Sequence, residues 1–407
     1  MEEKKIMKAV MYGGGNIGRG FIGALLSNSG YEVEFVDVVD DVIHTLNQEH
    51  TYPVRIIKGD TYEDIDVKNV SAVDGKVPEK VAEAIAKADI MATAVGVNVL
   101  KFIIPNIVAG LRLRKERNLP PFNIIICENL NDANKVIEGM IKEQLTEEEI
   151  VWFDEKIGLV EAAIGRMVPI QTEEMKDGNP LRVCVESYGF LPVDKDAFKG
   201  EIPEIKNMVP FSPFDYYVKR KLFVHNMGHA MTAYLGDLLG IEYIYEAIDN
   251  DEIYIIVKGA MEESARALSK KYGVPLDGIM VHIKDLLERF TNKGLQDTCS
   301  RVGREPARKL APKDRLIGSA TLALEMGITP AYISIGAAAG LCRYMNEVED
   351  KALTAAKVLE SVSELDMSSE LATLILDMYE MIKLGKSFGE IRRVADKKVA
   401  EKFENVI

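Results

Sequence analysis

Three glycines, Gly13, Gly15 and Gly18, fall where a β-rich run, KAVMYGG, gives way to a helical pattern, NIGRGFIGALLSNSG. Their G-x-G-x-x-G spacing restricts the fold, because each glycine answers a separate steric demand. The first permits a tight turn, the second lets a ligand approach the backbone, and the third lets the helix pack closely on the strand. The helix that follows offers unpaired N–H groups suited to phosphate oxygens. Asp37 ends the next β-rich run, VEFVD, nineteen residues after Gly18. A carboxylate there can accept hydrogen bonds from the ribose hydroxyls of a dinucleotide, although it can equally cap a turn or helix. It repels a 2′-phosphate, and Val38, Val39 and Asp40 supply no arginine to welcome one, so NAD is expected over NADP. The expected cofactor contacts are Gly13, Gly15, Asn16, Ile17, Gly18 and Asp37, with Arg19 either beside the pyrophosphate or a solvated helix residue. Ala94 and Val95 join them, because TAVGV, at the end of the strand DIMATAV, should pass near the cofactor, ligands lying beyond the carboxyl ends of such strands.

From Met7 to about residue 200, β-rich runs alternate with helical patterns: VEFVDV, then a helix through HTLNQEH, then DIMATAV, IPNIVAGLRLRKERN, FNIIICEN and GLVEAAI. This alternation predicts a doubly wound, mostly parallel sheet, an α/β Rossmann domain. Beyond about residue 205 strand signals vanish and helical segments follow, so the second half is expected to be all-α. The turn-forming stretch KGEIPEIKNMVPFSP, with three prolines, puts the boundary near 204/205. The expected domains are therefore 1–204 and 205–407, consistent with a chain longer than one core usually organises.

A net charge of −14 argues against nucleic acid or an anionic membrane as partner. The start, MEEKKIMKAVMYGGG, lacks an apolar targeting core, and no apolar run approaches the roughly 18 residues of a membrane span. A cytoplasmic protein is expected. The four cysteines and five histidines are scattered, without metal-ligand spacing, so no metal site is expected. Nothing in the pattern selects an oligomeric state.

The segment SPFDYYVKRKLFVHNMGHAMTAYLGDLLG reads as one long helix, with Ser212 as N-cap, Pro213 at the first helical position, Asp215 at N3 and Gly240 as a stop. At about 100° per residue, Lys221, His229 and Asn226 fall at roughly 0°, 80° and 140° and can converge on one pocket. A desolvated lysine can take a hydroxyl proton while amides donate to the developing oxyanion, which suits metal-independent alcohol oxidation. A surface lysine followed by a helix-packing histidine would give the same spacing. Asn129, directly after FNIIICE, is a second amide at a strand's carboxyl end, where it serves either substrate or a turn. The sequence RVGREPARKL then gathers Arg301, Arg304, Arg308 and Lys309. Guanidinium forks pair bidentately with phosphate, and basic residues also complement a helix C-terminus.

Taken together, GGGNIGRGFIGALL, TAVG, CEN, KLFVHNMGHAMTAYLG, VKGAMEES and RVGREPARKL make the chain similar, over nearly its whole length, to the polyol-specific long-chain dehydrogenases of the mannitol dehydrogenase family. The resemblance implies Lys221 as base, Asn226 and His229 as substrate contacts, and Asn129 as the second oxyanion donor. It implies Arg301 and Lys309 as shared substrate contacts. Arg304 and Arg308 stand where such relatives tend to carry uncharged polar residues, which makes them candidates for phosphate selectivity. The implied reaction is reversible and NAD-dependent, between mannitol 1-phosphate and fructose 6-phosphate. The alternatives are an unphosphorylated mannitol or hexuronate (fructuronate or tagaturonate) as substrate, or an NAD-sensing protein without turnover. A cleft between the domains is the expected site. Two features depart from the pattern: Gly165 replaces the aspartate of V-D-R-I, and Lys219 and Arg220 offer no carboxylate directly before Lys221, with Asp215 lying farther up the helix.

Overall fold

The computed structural model describes residues 6–130, 132–350 and 352–404. They form two compact units, Met1–Asp215 and Tyr216–Ile407.

In unit 1 the strands are, in chain order, β1 (Lys8–Tyr12), β2 (Glu32–Asp37), β3 (Thr51–Lys58), β4 (Thr61–Lys68), β5 (Val70–Asp74), β6 (Ile90–Thr93), β7 (Phe122–Ile126), β8 (Ile157–Glu161), β9 (Val183–Glu186), β10 (Leu191–Asp194) and β11 (Met208–Phe211). Six make one sheet in the order β5-β2-β1-β6-β7-β8, every neighbouring pair parallel. The order reverses between β1 and β6, the switch point at which such sheets bind ligands. Because side chains alternate along a strand, each strand feeds both faces. Met11, Phe35, Ala92 and Ile125 pack on one side, and Val10, Val36, Met91 and Ile124 on the other. Burial on both faces explains the near-continuous apolar runs.

A second sheet, β4-β3-β9, was not anticipated from the sequence. β3 and β4 form an antiparallel hairpin joined by Gly59 and Asp60, and Gly59 takes a positive φ of 61°. Tyr52, Val54 and Val67 are the inward positions of this hairpin. Its outward positions include Arg55, Asp64, Asp66 and Lys68, which hide the strand signal within a polar stretch.

The boundary falls past the expected 204/205. The proline-containing stretch there carries β11, which pairs in parallel with β10, so strand structure continues to Phe211. The following helix starts at Asp215 rather than at Pro213. Ser212 is not its cap: the hydroxyl donates to the Asp196 carboxylate at 2.5 Å.

Among its described residues unit 2 is helical, apart from one isolated bridge between Tyr243 and Thr298. The helices Met227–Leu238, Asp251–Tyr272 and Glu370–Lys383 pack around the apolar helix Ala331–Glu347. Small residues set their spacing: a Cβ on Gly336 would lie 2.3 Å from Met231 Cγ. Pro330 has no side-chain donor or acceptor to cap the central helix. The buried Glu263 does so from another helix, accepting from the N–H groups of Tyr332 (2.9 Å) and Ile333 (3.0 Å). Burial pushes its carboxyl up to about 8.

Candidate active site

The glycine turn follows β1 directly. Gly13 adopts φ 103°, donates its N–H to Val36 O at 2.9 Å, and would drive a Cβ to 2.5 Å from Ala94 O. Gly13, Ala94 and Val95 thus meet at the switch point. Gly15 and Asn16 are exposed, and a Cβ on Gly15 would meet nothing within 4 Å. That open space above backbone is what a pyrophosphate requires. Ile17 is half-buried against the core. Gly18 has no such room, since a Cβ would fall 1.8 Å from Gly13 O. From Gly18 to Gly23 the helix is π-helical. Gly20 and Gly23 admit Val183 and Phe35, at 2.7 and 2.5 Å from their virtual Cβ positions. The helix therefore rests on both the six-stranded and the three-stranded sheet.

Two charged residues hold this turn from inside. Asp37 accepts from Gly14 N at 2.7 Å through Oδ2, and from Val38 N (2.7 Å) and Val39 N (3.0 Å) through Oδ1. A carboxylate offers about four lone-pair sites, so one remains for a ribose hydroxyl. Arg19 is neither solvated nor turned outward. It is buried, with its guanidinium donating to the carbonyls of Gly14 and Leu181. It acts as a strut on the turn, and burial lowers its pKa.

Sequence reading missed Glu128. Its buried carboxylate accepts from Val95 N (3.0 Å) and Gly96 N (2.8 Å), fixing the loop after β6 from the end of β7. The signal was an acid closing an otherwise apolar strand. Asn129, the next residue, is exposed. Gly165 lies against an aromatic ring: a Cβ there would be 3.1 Å from Tyr188 Cε1, so Tyr188 fills the space an aspartate would need.

In unit 2 the lysine helix is not uniform. Lys221–Asn226 is π-helical, and Met227 N–H bonds back five residues to Leu222 O. Each residue then advances less than the α-helical step, so the angles expected at 100° per residue do not hold across this segment. Such segments are frequent at functional sites. Lys221, Asn226 and His229 are all half-buried. The His225 ring is 6.2 Å from His229 and 6.0 Å from Phe290, and His229 stacks on Phe290 at 5.1 Å. Burial foremost, then the neighbouring cations Arg289 and Lys221, holds His225 well below the ordinary histidine range. His282 is pushed down to about 3 by burial and by Arg220 and Arg289. Lys221 thus lies within electrostatic reach of the buried, neutral His225.

His229 and Arg301 are brought together by a residue the sequence reading passed over. Asp297 Oδ2 lies 3.2 Å from His229 Nε2, while Oδ1 receives Arg301 Nε at 2.7 Å and a terminal guanidinium nitrogen at 2.5 Å. Its spacing of four before Arg301 was the available signal. Burial raises the Asp297 carboxyl, but His229 and Arg301 outweigh burial and hold it below the ordinary aspartate value. The remaining cations diverge. Arg308 pairs with Glu305 at 2.9 Å and lies 3.7 Å from Asp314. Lys309 is buried, donating to the carbonyls of Val302 and Arg304, with one ammonium proton to spare. Arg304 is exposed, and among the described residues no hydrogen bond or ion pair holds its guanidinium. No group of three or more His, Cys, Asp or Glu among them is arranged to hold a metal.

A glycine turn at the switch point of a parallel sheet, followed by a helical unit, is the architecture of a dinucleotide-dependent oxidoreductase. Residues 7–207 match the mannitol dehydrogenase Rossmann domain and 214–406 the mannitol dehydrogenase C-terminal domain, and the chain belongs to this NAD-dependent family. It is 38% identical to the mannitol-1-phosphate 5-dehydrogenase of Thermoanaerobacter pseudethanolicus over 388 residues, 93% of this chain and 98% of that protein. Its fold is similar to that of Pseudomonas fluorescens mannitol 2-dehydrogenase in a ternary complex with NAD and D-mannitol, with TM-score 0.74, 14% identity, and 96% and 95% of the two chains covered. A substrate-free D-sorbitol dehydrogenase gives TM-score 0.74 at 16% identity, covering 92% and 93%. No described helix is long and apolar enough to cross a membrane.

Proposed function

We propose that this chain interconverts mannitol 1-phosphate and fructose 6-phosphate, with Lys221 as the general acid/base. NAD, when bound on the Gly13–Gly18 turn with Asp37 at its ribose, supplies the hydride acceptor for alcohol oxidation. Lys221 Nζ takes the hydroxyl proton as the carbinol is oxidised and returns it to the C2 oxygen of fructose 6-phosphate in the reverse direction. Amide N–H groups of Asn226 and Asn129 stabilise the negative charge that develops on that oxygen. His229, Arg301 and Lys309 hold the other sugar oxygens. Arg304 and Arg308 take the phosphate.

The phosphate reading is carried by Arg304, an exposed guanidinium without a protein partner among the described residues, on the segment where Arg301 is already committed to Asp297. A cytoplasmic setting fits the four buried, unpaired cysteines.

The test follows NADH absorbance with fructose 6-phosphate, fructose, fructuronate and tagaturonate in parallel, with NADPH as control. Turnover confined to fructose 6-phosphate and NADH is expected. An Arg304→Ala/Arg308→Ala protein should raise KM for it by at least about tenfold, the loss of one charge-assisted hydrogen bond. Turnover on an unphosphorylated sugar instead, unaffected by the double substitution, would return both arginines to a surface role.

A further inference from the structure

We infer that Asp297 is a positioning residue that fixes the tautomer of His229 and the direction of Arg301 together, so that the pair recognises a vicinal diol. The inference rests on the proposed role of His229 and Arg301 as sugar contacts and adds the residue through which they act as one unit.

The geometry has three parts. The carboxylate bridges, with Oδ2 at 3.2 Å from His229 Nε2 and Oδ1 at 2.7 Å from Arg301 Nε. Its side chain is only 10% exposed, so water competes poorly for either oxygen. Its backbone is held independently. Asp297 O accepts from Ile244 N at 2.9 Å, and two residues on Cys299 N donates to Glu242 O at 2.8 Å. The carboxylate thus has a fixed origin, and the imidazole a fixed plane through its stacking on Phe290.

The chemistry follows from donor and acceptor counts. An ionised carboxylate only accepts, so the ring nitrogen facing it must carry the hydrogen. The 3.2 Å approach lies off the ideal hydrogen-bond line, yet a lone pair directed at the carboxylate would be repelled. His229 is then the Nε2–H tautomer, and Nδ1, which has no protein partner among the described residues, presents a lone pair. Arg301 spends two of its five N–H groups on Asp297 and can only donate with the rest. One acceptor beside one donor matches two adjacent hydroxyls of a polyol, the first donating to Nδ1 and the second accepting from the guanidinium. Without the carboxylate, each side chain would lose the orientation that makes this pairing.

Asp297→Asn keeps the shape and inverts half of the logic. Its amide oxygen can still accept from Arg301, but its NH2 then faces His229 and requires Nε2 to be the acceptor. The experiment records ring-nitrogen NMR of the ¹⁵N-histidine-labelled full chain at alkaline pH, using His229→Asn to assign the signal among five histidines. It is combined with NADH titration, thermal melting and steady-state kinetics on fructose 6-phosphate. Wild type should show the Nε2–H tautomer. Asp297→Asn should show Nδ1–H, bind NADH unchanged, and raise KM for the sugar by about tenfold or more, with a smaller change in kcat.

An Nδ1–H tautomer in wild type, or a folded Asp297→Asn protein with unaltered tautomer and KM, would overturn the inference. If Asp297→Asn does not fold, the wild-type tautomer alone decides. Failure of the proposed function reads differently: wild type would not turn over fructose 6-phosphate, and the NMR result would still stand.

Discussion

The glycine turn of unit 1 and the lysine helix of unit 2 both contain a six-residue π-helical stretch, Gly18–Gly23 and Lys221–Asn226. They prepare their chemistry by opposite means. In unit 1 the proposed ligand-facing groups are backbone N–H donors, whose placement depends on side chains that are missing. In unit 2 they are side chains whose directions depend on partners far away in sequence, such as Asp297 for His229. A backbone site tolerates no added atom, whereas a side-chain site fails when an orienting partner is lost.

The largest expected effect lies on the side-chain side. Lys221→Ala should lower kcat for fructose 6-phosphate reduction by about 10² to 10⁴, the usual contribution of a positioned proton-transfer group. NADH affinity, measured by fluorescence titration, should stay at the wild-type value, because every proposed cofactor contact belongs to unit 1. Near-normal kcat would remove Lys221 from the chemistry and break the comparison at its centre.

Two glycine substitutions sharpen the other side. Gly18→Ala puts a methyl group 1.8 Å from Gly13 O, where backbone rather than a flexible side-chain tip must move. It should cost about 1–3 kcal/mol in stability, read from denaturant melts, and weaken NADH binding. Gly15→Ala enters open space and should leave the melt unchanged while still weakening NADH, because the methyl group occupies the volume the pyrophosphate needs. Equal losses of stability in both variants would mean that Gly15 serves packing and not approach.

This contrast also accounts for what the sequence made legible. Gly13, Gly15, Gly18 and Asp37 could be placed because steric demands on a turn act over a fixed, short spacing. The parallel sheet was readable because strands buried on both faces are apolar along their whole length. The β3–β4 hairpin was hidden because its exposed face is charged, and β11 because prolines mask a strand that pairs with only one neighbour. Asp297 and Glu128 could not be assigned partners from sequence. Their significance comes from tertiary contacts spanning 68 residues to His229 and 33 to Val95. Arg19 stayed open between two readings for a related reason: a guanidinium two carbonyls deep cannot be told from a solvated one by its position in a helix.

Arg19 has a counterpart in unit 2, and the pair supports the subtlest test. Each is a buried cation resting on two backbone carbonyls, Arg19 on Gly14 and Leu181, Lys309 on Val302 and Arg304. Arginine stays charged at any working pH, but lysine can shed its proton. Burial foremost, then the charges of Arg315 and Arg308, pushes Lys309 down to about 8 from its ordinary 10.5. Below about pH 8 the lysine is protonated in both folded and unfolded chains, and the fold carries the whole cost of the buried charge. Between about 8 and 10.5 the unfolded chain holds more protons than the folded one, so stability must rise with pH. Lys309→Met lacks this titration. Wild-type stability relative to Lys309→Met should therefore increase by about 1 kcal/mol across that interval, after allowance for screening, in denaturant melts stepped through pH. A constant difference would mean that the two carbonyls offset burial fully and that Lys309 is a strut of the Arg19 kind. A rising one would make it a cation held near its limit, with its remaining N–H and its charge available to an anionic substrate only below about pH 8.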